Sequence, residues 1–164
     1  MRESRDCIGT SPKSFKTYSR SRSLRLPGFD YASSHVYFIT LGTHERRPVF
    51  ANARYAEAIA DCLRSCRTRD GFVVYAYCLM PDHAHLLITP VHGGKALSSF
   101  IGAFKSLSTR TFWNQRGEGR LWQGHYFDHV VRDEESLSAI AGYIWCTPSS
   151  RQFSSHFLLV SRAE

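Results

Sequence analysis

The sequence predicts an α+β fold, an antiparallel sheet with helices packed mainly on one face in the ferredoxin-like, RRM-like split βαβ arrangement. Three observations carry that expectation. Runs rich in β-branched and aromatic residues alternate with segments of three- and four-residue apolar spacing, in the order strand, helix, strand, strand, helix, strand, helix. The two middle strands are separated only by Pro81-Asp82, so they should pair antiparallel. The chain has 164 residues, 43% of them hydrophobic, enough to close one core without covalent staples.

The elements follow in order. HVYFITLG, from His35 to Gly42, reads as a strand, and THERRP as a polar turn. Ala56, Ile59, Leu63 and Cys66 mark an amphipathic helix from about Phe50 to Arg67, which Thr68-Arg69-Asp70-Gly71 should break. FVVYAYCLM is apolar on both alternating faces, as expected of a strand central in its sheet and covered at least in part on each side. The next strand runs from His83 to Thr89 and is closed by Pro90. Leu97, Phe100, Ile101, Phe104 and Leu107 place a second helix that continues to about Trp113. After the glycine-bearing loop NQRGEGR, LWQGHYFDHVV reads as a further strand. RDEESLSAIAGYIWCTP then reads as a helix capped by Asp133, with Glu134 and Glu135 in its first turn and Pro148 setting its end. A short last strand is expected around Phe157-Leu158-Leu159-Val160.

Residues 1 to 29 hold seven Lys and Arg against Glu3 and Asp6, so most of the net charge of +7 sits in a Ser- and Arg-rich stretch. This segment is expected to be a flexible basic arm ahead of a single domain over residues 30 to 164. It lacks the apolar core of a secretory signal, although its composition is also that of an organelle transit peptide. A basic surplus suits a polyanionic partner, because each neutralised phosphate releases counterions. No apolar run approaches the ~20 residues of a membrane span, so no membrane partner is expected. The five cysteines include no Cys-x-x-Cys pair; Cys62 and Cys66, one helical turn apart, read as small buried hydrophobes in a reducing compartment.

The chemistry is concentrated in Asp82-His83-Ala84-His85. Residues i and i+2 of a strand share a face, so His83 and His85 can converge on one ion while Ala84, Leu86 and Ile88 point to the core. Imidazole pairs bind several divalent metals, and two exposed histidines satisfied by neighbours are the plain alternative. Tyr143 lies at the border of the apolar stripe Leu137, Ile140, Ala141 and Ile144, with Thr147 one turn beyond it. Tyr126, between His125 and the nearby His129, is an alternative nucleophile. Arg46, Arg47, Lys105 and Arg110 are candidate phosphate contacts, and Trp122, Tyr126 and Phe127 could stack on unpaired bases or fill the core.

MPDHAHLLITP followed by LWQGHYFDHVVRDEESLSAIAGYIWCTP resembles the HUH-type single-tyrosine transposases of the IS200-like superfamily, especially their REP-associated branch. Those proteins share a His-hydrophobic-His strand after a Met-Pro turn, and a Trp-Gln strand leading to an Arg-Asp-Glu helix with a Tyr-Ile dipeptide. The likeness runs from about Leu26-Pro27-Gly28 through Pro148, with the motifs in the family's order. It implies nuclease and strand-transfer chemistry on single-stranded DNA, with hairpin-forming repeats as the partner. His83 and His85 would hold Mg²⁺ or Mn²⁺, and Tyr143 would form a 5′-phosphotyrosine with a free 3′-hydroxyl. The family's third ligand, an Asn or Gln one turn after the tyrosine, is replaced here by Thr147, a shorter and poorer donor. A catalytically impaired binder of single-stranded or hairpin DNA is therefore the competing expectation. The resemblance further implies a cytoplasmic, nucleoid-associated protein acting as a monomer or homodimer.

Overall fold

In a computed structural model the described residues are 35–131. The segments expected to form the amino-terminal arm, the helix bearing Tyr143 and Thr147, and the last strand lie outside the described residues. The chain runs β1 (Val36–Gly42), α1 (Ala53–Asp70), β2 (Phe72–Met80), β3 (His83–Pro90), α2 (Leu97–Asn114) and β4 (Phe127–Val131). Among the described residues the sheet order is β2-β3-β1-β4, with every neighbouring pair antiparallel. This is the split βαβ order that the element sequence predicts.

Strand alternation decides which side chains face the helices. Tyr37, Ile39 and Leu41 of β1 and Ala84, Leu86 and Ile88 of β3 are buried with Ile59, Leu63 and Cys66 of α1 and Phe100, Ile101 and Phe104 of α2. Truncating a ring such as Phe104 to alanine in this layer would cost roughly 3–5 kcal/mol. The opposite face carries a smaller cluster of Ala76, Cys78, Leu87 and Val131, bordered by Phe38, Tyr75 and Met80.

Three boundaries differ from expectation, each for a local reason. Helix α1 begins at Ala53 rather than Phe50, because Phe50 sits in a short 3₁₀ turn whose N–H donates to the Pro81 carbonyl at 2.9 Å. Asn52 caps the helix by accepting from the Arg54 N–H at 3.0 Å. At its other end α1 continues through Thr68, Arg69 and Asp70, the expected breaker. The buried Asp70 carboxylate is satisfied there by Arg69 at 2.7 Å and Lys95 at 2.6 Å, and only Gly71, left-handed at φ 70°, ends the helix.

Among the described residues strand β2 is not central in the sheet: it pairs there with β3 alone and stands at the edge. The expected cover on both of its faces is present and accounts for its apolarity, without a second neighbouring strand among the described residues. A register shift between Val74 and Ala76 reverses the alternation, so Phe72, Val74 and Tyr77 join the helix-side core while Ala76 and Cys78 turn to the other face. Finally, the strand expected from Leu121 onward forms only at Phe127–Val131. Trp122 makes an isolated bridge to Thr43, and the carbonyls of Gln123 and His125 accept from the Lys105 ammonium at 2.8 and 3.2 Å.

Candidate functional site

His83 and His85 stand on the face of β3 away from the helices, beside Leu87 of the smaller cluster. Across the β1–β3 pairing His85 lies opposite Thr40 and His83 opposite Gly42. Each imidazole is fixed through its Nδ1. That of His83 lies 2.6 Å from Asp82 Oδ1, and that of His85 lies 3.0 Å from the Thr40 hydroxyl. The Phe38 ring stacks on His85 at 5.2 Å. With both Nδ1 atoms engaged, the two Nε2 atoms face one another at 3.1 Å.

Two nitrogen lone pairs at that distance repel unless a proton or a cation lies between them. Burial, then the charge of His83, pull the His85 pKa down to about 4, so its ring is a neutral donor at neutral pH. The separation also fits two adjacent ligands of an octahedral ion, for which bond lengths of ~2.1 Å place neighbouring donors roughly 3 Å apart. Nδ1 hydrogen-bonded and Nε2 directed at a shared point is the usual arrangement of metal-binding histidines. The residues present therefore fit a divalent ion. Among the described residues no group of three His, Cys, Asp or Glu completes a site, so an ion held here would need further donors.

The turn preceding α1 supports this pair. Arg46 Nε contacts Asp82 Oδ2 at 3.1 Å, placing a half-exposed guanidinium beside the carboxylate that orients His83. Glu45 and Arg46 hold left-handed backbone at φ 54° and 57°, a conformation that costs energy for residues with a Cβ and here aims Arg46 at Asp82. Thr43, fully buried, donates its N–H to the Asp82 carbonyl at 2.9 Å, and its hydroxyl lies 2.8 Å from the carbonyls of both Asp82 and Arg47. The strained turn and the histidine turn are thus pinned to one side chain.

The remaining predicted contacts sit elsewhere. Arg47 donates to the carbonyls of Glu118 and Arg120, fastening the loop after α2. Lys105 and Arg110 line a cavity of about 650 Å³ between α2 and that loop. Trp122 is a core residue, its Nε1 donating to the buried Ser108 hydroxyl at 2.8 Å. Phe127 is exposed, and Tyr126 is partly buried with the Lys105 ammonium 5.7 Å from its ring centre. Tyr143 and Thr147 lie outside the described residues, so the site consists here of the histidine pair and its supports. Sequence reasoning missed Asp82, Thr40 and Phe38. Only Asp82 was signalled, by standing next to His83.

The comparisons with known proteins agree with this architecture. The profile of the family described as transposase IS200-like matches residues 31–146. A Haemophilus influenzae protein, described as a candidate REP-associated tyrosine transposase, is 24% identical over 129 residues, covering 73% of each chain. An Escherichia coli K12 REP-associated tyrosine transposase is 23% identical over 118 residues, covering 72% of this chain and 68% of its own. A solved REP-associated tyrosine transposase bound to a REP hairpin superposes with a TM-score of 0.63 at 20% identity, over 82% of this chain and 74% of that one. With the family profile spanning well over half the sequence, and the paired histidines on the strand where the motif predicts them, the chain belongs to the transposase IS200-like family.

Proposed function

We propose that the protein cleaves and rejoins single-stranded DNA beside hairpin-forming repeats, through a 5′-phosphotyrosine at Tyr143, with Mg²⁺ or Mn²⁺ held by His83, His85 and Thr147. The observation that carries this reading is the pair of Nε2 atoms 3.1 Å apart, each imidazole braced from behind by Asp82 or Thr40. The relative solved with a REP hairpin supports the choice of DNA partner.

A bound divalent ion would polarise a phosphoryl oxygen and offset the charge that develops at phosphorus. The rest falls to the chain. The Tyr143 phenol gives up its proton and its oxygen bonds to phosphorus. The bond from phosphorus to the 3′-oxygen breaks, and that oxygen leaves protonated as a 3′-hydroxyl. The phosphotyrosine ester retains the bond energy, so a 3′-hydroxyl can attack it in reverse without a nucleotide cofactor. Arg46, already beside Asp82, is placed to meet a phosphate of the same strand.

The test is a labelled hairpin with single-stranded flanks incubated with Mn²⁺. A covalent adduct is expected with the parent protein and none with Tyr143→Phe. His83→Ala and His85→Ala should abolish the adduct while retaining most of the DNA affinity. An adduct that survives in Tyr143→Phe, or histidine variants that lose binding and cleavage together, would overturn the assignment. Hairpin retention without any adduct favours the impaired binder, a reading supported by Thr147 standing where the family carries an amide.

A further inference from the structure

The cavity beside α2 is lined by Lys105, Arg110 and Arg120, with Trp113 and Gln123, and among the described residues no carboxylate faces it. Arg110 and Arg120 are exposed, and among the described residues neither makes an ion pair. Trp113 is 53% exposed, an unusual state for so large a ring. It is nevertheless fixed, because its Nε1 donates to the Gly119 carbonyl at 2.7 Å. A hydrogen-bonded, exposed indole beside exposed guanidinium groups matches the two halves of an unpaired nucleotide, a flat base and an anionic phosphate.

One residue, Gln123, touches both the cavity and the histidine face. Gln123 lines the cavity, yet its carboxamide covers the spot a side chain at position 42 would fill, with Oε1 2.9 Å from an ideal Cβ there. Gly42 in turn pairs directly with His83. The same residue thus borders both places.

Building on the DNA-processing reading above, we infer that this groove is a separate subsite for the unpaired DNA that flanks the hairpin. In it Trp113 stacks on one base and Arg110 and Arg120 hold the adjoining phosphates. The lysine contributes differently: its ammonium is spent on the Gln123 and His125 carbonyls and shapes the wall from inside.

The test compares, with the full chain, a blunt hairpin and the same hairpin carrying a single-stranded DNA tail, read by fluorescence anisotropy in the Tyr143→Phe background so that no cutting intervenes. Trp113→Ala should weaken binding of the tailed hairpin by ~tenfold, the scale of one base stack, and leave the blunt hairpin unchanged. Trp113→Phe should restore most of the loss, which separates stacking from a folding defect. Arg110→Gln with Arg120→Gln should flatten the salt dependence of tailed binding by roughly 0.7 per lost phosphate contact. Equal effects of Trp113→Ala on both hairpins, or no rescue by phenylalanine, would overturn the subsite. A tail preference that depends on Trp113 in a protein forming no adduct would sink the nuclease reading and leave the groove standing. An adduct with a tail preference indifferent to Trp113 would do the reverse.

Discussion

His83 and His85 differ in what restrains them, and that difference is testable. The first leans on a carboxylate that also takes a guanidinium; the second is partly buried, stacked on Phe38 and held by a neutral hydroxyl. Replacing such outer partners commonly costs ten- to a hundredfold in metal affinity. We therefore predict that Asp82→Asn and Thr40→Val each weaken Mn²⁺ binding by about that range in calorimetric titration, with secondary structure unchanged by circular dichroism. Unaltered titrations would show that the imidazoles need no bracing. The shared face of the two histidines was legible in the sequence because strand side chains repeat every two residues. Thr40 was not, since its position opposite His85 depends on a register set by partners 45 residues away.

Among the elements, α1 shows how one charge extends a helix. Asp70 is buried and bonded first by Arg69 and then by Lys95 from the loop before α2, and these bonds lower its pKa to about 2. A carboxyl depressed in the folded state from its usual ~3.9 adds stability above that value and loses it as pH falls toward 2. Asp70→Asn should therefore lower unfolding free energy by ~1–3 kcal/mol near neutrality and flatten the decline in stability between pH 4 and 2, measured by urea melts. A parallel acid profile in the variant would place the acid sensitivity elsewhere. The apolar period located both helices, but it could not weigh a polar segment such as Thr68-Arg69-Asp70, whose partner Lys95 is distant in sequence. Nor could alternation reveal that β2 stands at the edge of the described sheet, because the slip at Tyr75 exchanges its faces midway.

At the scale of the whole molecule, the sheet separates a helix-backed core from a face that carries the histidine pair. The order of elements sufficed to predict this division, since a two-residue link between β2 and β3 leaves few topologies open. The charge is divided as well, with most of the surplus in residues 1 to 29. If that arm grips phosphates, deleting residues 1 to 25 should flatten the dependence of DNA affinity on salt, and an unchanged slope would remove it from the interface. The groove escaped sequence reasoning because Arg120 and Trp113 converge only after the loop beyond α2 folds back, tied by Arg47. One last consequence follows from Gly42. Because that position bears only hydrogen, a neighbouring carboxamide can lie flat against the backbone opposite His83. A single methyl group there would push that carboxamide aside without touching an imidazole or an arginine, so the one side chain that borders both the histidines and the α2 groove owes its place to an atom the protein does not have.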